Sequence, residues 1–305
     1  MRLRAGLSAA SLLCLLTACV AHAPAKPDRA AGTEFAPCAA DPDWNQPTQP
    51  RRIHGDTWYV GTCGLSAVLI TSDQGHVLID GGSERAGPLI EASLRALGVD
   101  PRQVRYLLNS HEHNDHAGGL AHLQRVTGAT VVARAPAVAA LERGKGDRGD
   151  PQFLSVSPFA PVRAVQTIGD GETLRLGPIA LTAHATPGHT PGGTSWSWRA
   201  CDEAGDCRAI AYADSLTPLT DAVYRYSDES AHPGVVAAFR RSIRTVAELP
   251  CDILVTPHPN ASNLLARLDA PSPAPQGTSN DCRAYAASGN GKLEEQLAKE
   301  AASAP

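Results

Sequence analysis

A large excess of either charge is missing from this 305-residue chain, whose formal net charge is −4 at pH 7. Neither a basic stripe nor an acidic tail is indicated, so we expect no nucleic-acid partner. The chain also shows no obvious internal repeat, which argues against a repeat architecture. Its length exceeds that of an average domain but is compatible with a single two-layered one.

The apolar stretch at the amino terminus is too short for a convincing membrane span. Residues 1–23 instead have the pattern of an export signal. A positive start, an apolar core and a small-x-small cleavage site occur at Arg2 and Arg4, Leu7 to Leu16, and Ala21-His22-Ala23. An alternative stays open, because Leu16-Thr17-Ala18-Cys19 resembles a bacterial lipobox in which Cys19 would carry a lipid anchor. Both interpretations predict a periplasmic protein, and the second adds a membrane tether.

A Cys-x-x-Cys pair is also missing, which makes a cysteine-rich zinc site a weak interpretation of the cysteines. Removal of the signal leaves Cys38, Cys63, Cys201, Cys207, Cys251 and Cys282. An even set in an exported chain indicates disulfide bonds, although six cysteines allow many pairings. Cys201 and Cys207 flank a turn-like segment between two strand candidates and could join a hairpin.

Strand and helix patterns alternate through both halves of the sequence. Strands are predicted at residues 57–60, 66–71, 76–80, 104–108, 130–133, 162–168, 173–176, 179–185, 194–198, 209–212 and 252–255. Helices are predicted around residues 89–97, 117–126, 235–249 and 282–301. This mixture predicts an α/β fold, with sheets flanked by helices, rather than an all-β shell.

The most informative feature present is the run His111-Glu112-His113-Asn114-Asp115-His116, which follows the strand candidate at residues 104–108. Side chains alternate along an extended segment, so His111 and His113 can face the same side. His189 and His258 lie further along, each in a rigid turn that contains proline. Catalytic zinc commonly takes three protein ligands and keeps an open position for water. Two such sets of three are available here, which predicts a two-metal hydrolytic centre.

The other histidines of the mature chain are interpreted as ordinary core or surface residues. Each is isolated in the sequence, without potential ligands close by. They are His54, His76, His122, His184 and His232.

The pattern HxHxDH followed by distant histidines resembles the metallo-β-lactamase superfamily. The segment Ala211-Tyr212-Ala213-Asp214-Ser215-Leu216-Thr217, the turn around His189, and residues 250–259 narrow the resemblance to subclass B3 metallo-β-lactamases. The resemblance covers roughly Cys38 to the carboxyl terminus. It implies an αβ/βα four-layer sandwich, with the metals at one edge between two sheets. We therefore expect a single domain at residues 38–305, preceded by an arm at residues 24–37.

The resemblance also implies two Zn²⁺ ions per chain and a role for each candidate residue. The first ion would be held by His111, His113 and His189, and the second by Asp115, His116 and His258. Asp115 would also orient the nucleophile, and Ser215 and Thr217 are candidates for binding the substrate carboxylate. Ser215 stands where another subclass has a cysteine ligand, so no thiolate is expected at the metals. The implied disulfides are Cys38–Cys63, Cys201–Cys207 and Cys251–Cys282.

Two further residues receive expectations of their own. Asp80 resembles the first acidic motif of the superfamily and is expected to support the backbone of the site rather than bind metal. Gln152, which follows Asp150-Pro151, is placed on a loop near the mouth of the site.

The activity implied by the resemblance is hydrolysis of the β-lactam amide of penicillins, cephalosporins and carbapenems, which confers antibiotic resistance. The nucleophile would be a metal-bound hydroxide, because zinc lowers the pKa of its bound water to about 7. The expected partner is a small β-lactam, and nothing requires more than a monomer.

Two alternatives remain. A sister thioesterase or lactonase would use a bridging aspartate, for which Asp214 is the candidate. A purely structural zinc protein is disfavoured because the cluster contains no sulfur.

Overall fold

The computed structural model describes residues 36–270 and 281–303 of the chain. The export signal, the lipobox at Cys19 and nearly all of the arm at residues 24–37 lie outside the described residues. Within them, the strands form one sheet of seven and one of five.

The first sheet keeps its seven strands in sequence order, β1 to β7. Antiparallel hairpins join β1 to β4, whereas β4 to β7 run parallel. Parallel neighbours need a crossover connection, which helices provide after β4, β5 and β6. The strands are β1 (Arg51–His54), β2 (Thr57–Tyr59), β3 (Val68–Ile70), β4 (His76–Ile79), β5 (Val104–Leu108), β6 (Thr130–Arg134) and β7 (Gln166–Ile168). The helices are α1 (Ala86–Ala96), α2 (Asn114–Ala117), α3 (Leu120–Thr127) and α4 (Ala135–Arg143).

The second sheet is an antiparallel meander with one parallel strand added at its edge. Its strands are β8 (Thr173–Leu176), β9 (Ile179–Ala185), β10 (Thr194–Cys201), β11 (Cys207–Tyr212) and β12 (Ile253–Val255). The chain reaches β12, which pairs parallel with β11, through helix α5 (Val235–Glu248). Helices α6 (Leu264–Leu268) and α7 (Asp281–Ala302) follow.

Three hydrophobic clusters show how these elements stack. In β4, Ile79 belongs to the cluster between the sheets, whereas its neighbour Leu78 packs with the helices outside the first sheet. In β12, Ile253 faces the space between the sheets and Leu254 packs under α5 and α7. Successive residues of a strand point to opposite faces, so both sheets are buried on two sides. The layer order is helix, sheet, sheet, helix, which is the expected αβ/βα sandwich.

The carboxyl ends of several strands meet at one edge of this sandwich. Strands β4 and β5 run parallel in the first sheet. In the second, β9, β11 and β12 share one direction, because β10 lies antiparallel to both β9 and β11. The segments that leave these five strands carry Asp80, His111, His189, Asp214 and His258, in that order.

Three disulfide bonds occur among the described residues. They are Cys38–Cys63, Cys201–Cys207 and Cys251–Cys282, the pairs that the resemblance implies. The second joins the ends of the β10–β11 hairpin. The third joins Cys251, two residues before β12, to Cys282 in the first turn of α7.

Some elements differ from the sequence prediction. Helix α4 is absent from the sequence prediction, although its buried residues Ala137, Ala140 and Leu141 have helical spacing. Strand β7 covers only the end of the strand predicted at residues 162–168. Helix α7 matches the expected terminal helix. None of the helices in the described part of the chain is both long and apolar enough for a membrane crossing.

Candidate metal centre

His111 and His113 project from the segment that follows β5. The Nδ1 of His111 donates a hydrogen bond to the carboxylate of Asp214 at 2.8 Å. The Nε2 of His113 lies 3.1 Å from both carboxylate oxygens of Asp150, to which it donates. Each ring therefore has one nitrogen fixed by a buried carboxylate, which leaves its second nitrogen free to accept.

His189 joins them from the turn after β9. Its Nδ1 donates to the backbone oxygen of Thr217 at 2.7 Å. The preceding Gly188 has a φ of +149°, and a Cβ there would lie 2.4 Å from the ring of Phe239. Only glycine fits this turn, which brings one ligand nitrogen of His189 within 4.8 Å of those of His111 and His113.

A second group forms around Asp115. Its Oδ2 lies 3.2 Å from the Nε2 of His116 and 3.3 Å from the Nε2 of His258. The other nitrogen of His258 donates to the backbone oxygen of Gly64 at 3.2 Å. A ligand atom of His111 also lies within 4.8 Å of those of Asp115 and His116, so the two groups are adjacent.

These donors fit a pair of divalent cations. Histidine ligands almost always donate their non-coordinating N–H to a carboxylate or a carbonyl, which orients the ring. Four of the five clustered imidazoles make such a bond, and the partners of His113 and His258 are Asp150 and Gly64. The inward Nε2 atoms of His111 and His116 are buried and have no hydrogen-bond partner within the described residues. Two buried nitrogen lone pairs so close together, without hydrogen-bond donors, lower the stability of the fold unless they coordinate a cation.

The electrostatics favour the protonation states that bind metal. Burial, and to a smaller extent the neighbouring imidazoles of His116 and His189, lowers the pKa of His111 well below its usual value. Burial and the imidazole of His113 lower the pKa of His189 to about 3. For Asp115, burial opposes ionisation, but the charge of His116 and the hydrogen bonds from His116 and His258 together outweigh it and hold the pKa of the carboxyl well below its usual range. At neutral pH His111 and His189 are therefore neutral and Asp115 is ionised, which are the forms that bind metal. Burial disfavours the charged form of His116, but the carboxylates of Asp115 and Asp80 raise its pKa, so this ring would release a proton on binding a cation.

Asp80 and Glu112 brace the backbone around the cluster. Asp80 accepts hydrogen bonds from the backbone N–H and hydroxyl of Ser110 at 2.7 and 2.6 Å, and from the hydroxyl of Tyr212 at 2.7 Å. Glu112 accepts from the hydroxyl of Thr190 and the N–H of Gly192, both at 2.8 Å. Asp80 thus joins the two sheets, as a supporting role requires, and Glu112 ties the HxHxDH run to the His189 turn.

The remaining candidates lie at the rim of the cluster. The amide nitrogen of Gln152 is 3.5 Å from the Nε2 of His189, which places its loop at the mouth. Thr217 is partly exposed beside the same ring, and Ser215 is nearly buried two residues earlier.

The other histidines have ordinary partners. His122 pairs with Glu91 at 2.8 Å, and His184 bonds Ser197 at 2.8 Å. His54 lies near Asp202 and Asp206 at the surface, where Asp202 already accepts from backbone N–H groups of its own turn.

Two carboxylates were missed as partners of the histidines. Asp150 and Asp214 lie 37 and 103 residues from the rings that they bond. Nothing in their local sequence predicts these contacts. A pairing between distant residues can be found only from the folded arrangement.

Replacement of Asp150 with alanine tests how much the ring of His113 depends on its carboxylate. We expect metal affinity to fall about 10–100-fold, the usual effect of removing such an outer partner. A competition titration against a coloured chelator measures the affinity, and far-ultraviolet circular dichroism checks the fold. Asp147→Ala is the matched control, because Asp147 is exposed on the same loop. Equal metal affinity in the two variants would show that Asp150 does not position His113.

Comparison with known proteins agrees with this geometry. A family model described as the metallo-beta-lactamase superfamily matches residues 60–258. The crystal structure of MEM-A1, a subclass B3 metallo-beta-lactamase isolated from a soil metagenome library, superposes with a TM-score of 0.83. It is 46% identical in sequence, and the match covers 86% of this chain and 100% of that one.

Curated relatives are more distant. A probable metallo-hydrolase from Burkholderia pseudomallei (strain 1710b) is 30% identical over 201 residues, or 62% of this chain. A hydroxyacylglutathione hydrolase from Methylococcus capsulatus is 33% identical over 130 residues, or 42% of this chain. The chain spans 66% and 40% of the lengths of these two relatives, so the likeness to them is partial.

Proposed function

The chain belongs to the metallo-beta-lactamase superfamily, and on that premise we propose that it is a zinc-dependent β-lactamase of subclass B3. Its substrates would be penicillins, cephalosporins and carbapenems, whose cyclic amide it would hydrolyse. One observation supports the proposal above all. Two adjacent groups of nitrogen and oxygen donors, free of sulfur, lie in a chain that matches a B3 enzyme over 86% of its own length and 100% of that enzyme's. The proposed consequence for a cell is resistance to these antibiotics.

The donor chemistry supports Zn²⁺ as the cation. Imidazole and carboxylate are common zinc ligands, and a set of three leaves a position open for water. The first ion would be held by His111, His113 and His189. The second would be held by Asp115, His116 and His258. When bound, the ions would supply Lewis acidity, which activates water and polarises the amide carbonyl.

The residues of the chain have separate tasks in this reaction. The lowered pKa of Asp115 keeps its carboxylate ionised, and one of its oxygens lies within 4.8 Å of the ligand atoms of His111 and His116. It can therefore accept a hydrogen bond from the attacking water and orient it. Asp214 and Asp150 keep the rings of His111 and His113 in place. Ser215 and Thr217, at the rim, are proposed to hold the carboxylate of the substrate. Fixed groups of this kind need no rearrangement when the amide is attacked.

A sister thioesterase or lactonase is the second candidate, since a hydroxyacylglutathione hydrolase is among the relatives. In such an enzyme Asp214 would bridge the metals. Here the Oδ1 of Asp214 bonds the Nδ1 of His111, on the side of the ring that faces away from the free Nε2. Asp214 also belongs to neither of the two donor groups, which favours the lactamase.

A substrate panel with and without a chelator tests the proposal. We expect purified protein to open a chromogenic cephalosporin and a carbapenem. Activity should be lost in a strong chelator and restored by added Zn²⁺, because the clustered residues alone provide no nucleophile. Elemental analysis of active preparations should find about two zinc ions per chain. Hydrolysis of thioesters or lactones without opening of a β-lactam would instead support the second candidate.

Export to the periplasm and a monomeric state complete the proposal. The disulfides among the described residues suit an oxidising compartment. Lipidation at Cys19 would add a membrane anchor, which mass spectrometry of the mature amino terminus would detect.

A further inference from the structure

Helix α7 docks one of its faces on the segment that carries Ser215 and Thr217. Tyr285, Gly289 and Lys292 are spaced by four and three residues, which places them on one side of a helix. The hydroxyl of Tyr285 accepts from the N–H of Leu216 at 3.3 Å and donates to the backbone oxygen of Asp214 at 3.1 Å. The helix is therefore fixed against this segment by hydrogen bonds.

A close approach on the next turn strengthens this docking. A Cβ added at Gly289 would lie 2.6 Å from the Cβ of Leu216, so the helix touches the segment where it has no side chain of its own. One turn further, the Nζ of Lys292 lies 3.5 Å from the hydroxyl oxygen of Thr217. The docking thus brings an ammonium group to the rim of the metal centre.

This ammonium group has no carboxylate within 4.0 Å in the described part of the chain. The nearby acid Glu294 pairs with Arg240 at 2.8 Å instead. Lys292 is exposed, and its long stem can move the charge over several ångströms. Thr217 in turn accepts from the Nδ1 of His189 through its backbone oxygen. Thr217 therefore lies between Lys292 and His189, a proposed metal ligand. The ammonium charge of Lys292 has no carboxylate partner in the described part of the chain and can attract an external anion.

We infer that Lys292, together with the hydroxyl of Thr217, forms the anion subsite that receives the carboxylate of the substrate. This inference rests on the proposed function, because penicillins and carbapenems carry a carboxylate beside the lactam nitrogen. A carboxylate that leaves water for the cleft needs a charged or hydrogen-bonding partner. A hydroxyl supplies one neutral hydrogen bond, whereas an ammonium group adds a stronger charge-assisted one. Lys292 acts as a binding residue for substrate and takes no part in the attack on the amide.

Two ligands that differ only in their anionic group isolate this interaction. Mercaptoacetate and 2-mercaptoethanol both offer a thiol to the metals, but only the first carries a carboxylate. Titration calorimetry on zinc-loaded protein would compare Lys292→Gln, Lys292→Arg and the parent. Lys299→Gln is the matched control, since Lys299 is exposed two turns further along the same helix.

We expect Lys292→Gln to lower the affinity for mercaptoacetate about three- to ten-fold. The KM for a penicillin should rise by a similar factor, with a smaller change in kcat. Binding of 2-mercaptoethanol should stay within about twofold, and Lys292→Arg should recover most of the loss. Added salt should weaken mercaptoacetate binding more in the parent than in Lys292→Gln.

The inference would be overturned if Lys292→Gln lowered the affinity for both thiols equally. It would also be overturned if Lys292→Gln and Lys299→Gln changed the affinity for mercaptoacetate by the same factor. The proposed function fails separately, if the parent opens no β-lactam at all. The two thiols would still decide the role of Lys292 in that case.

Discussion

His189→Ala should leave a folded protein whose β-lactam turnover is reduced by more than about 100-fold, since removal of even an outer partner of a metal ligand costs about 10–100-fold. The loss follows from the position of His189 in the first donor group, where His111 and His113 alone would leave a cation with two protein ligands. We expect one zinc to be lost or weakly held. Steady-state kinetics with a chromogenic cephalosporin and metal analysis on the same sample measure both effects.

A matched histidine is available for this experiment. His184 lies on β9, five residues before His189, and bonds Ser197 away from the cluster. His184→Ala should keep its two zinc ions and most of its turnover. Unchanged turnover in His189→Ala would remove that residue from the ligand set and with it the proposed arrangement of the first site.

Loss of the Cys251–Cys282 disulfide, which has the largest sequence separation of the three, should lower the free energy of unfolding strongly. The two cysteines are 31 residues apart, and a cross-link over such a loop stabilises by about 3–4 kcal/mol in the chain-entropy description. A domain of ordinary stability has about 5–15 kcal/mol in total, so the double variant Cys251→Ser/Cys282→Ser would lose a large part of it. Urea unfolding of metal-free protein measures the difference, because bound zinc would add stability of its own.

The Cys201–Cys207 pair provides the comparison. It closes a separation of only 6 residues, for which the same description gives about 2 kcal/mol. The doubly substituted Cys201→Ser/Cys207→Ser protein should therefore unfold at a higher urea concentration than Cys251→Ser/Cys282→Ser. The reverse order would show that strain or residual structure, rather than loop length, governs these bonds.

The local parts of the site could be predicted from the sequence, because their signal lies within a few residues. The HxHxDH run follows a buried strand, the turn of His189 contains prolines and glycines, and the turn of His258 has a proline on each side of the histidine. The resemblance carried by these motifs also implied the αβ/βα sandwich, which the three hydrophobic clusters confirm.

The partners of the ligands could not be predicted, since they depend on contacts between distant segments. Asp150 bonds His113 across a loop, and Asp214 bonds His111 across the two sheets. The segment of Asp214 suggested a bridging ligand as an alternative, and only its position behind the ring of His111 favours a different role. Lys292 is one of several charged residues of helix α7, and only the docking of that helix brings it to Thr217.

Both proposed ligand sets would draw on the two sheets of the sandwich. His111 and His113 follow a strand of the seven-stranded sheet, and His189 follows one of the five-stranded sheet. In the second proposed set, His258 from the five-stranded sheet would complete Asp115 and His116 from the seven-stranded one. Each cation would therefore cross-link the two sheets. A displacement of one sheet along the other would distort the coordination of both cations. With these ligand sets, any change that loosens the contact between the two sheets would also lower the activity.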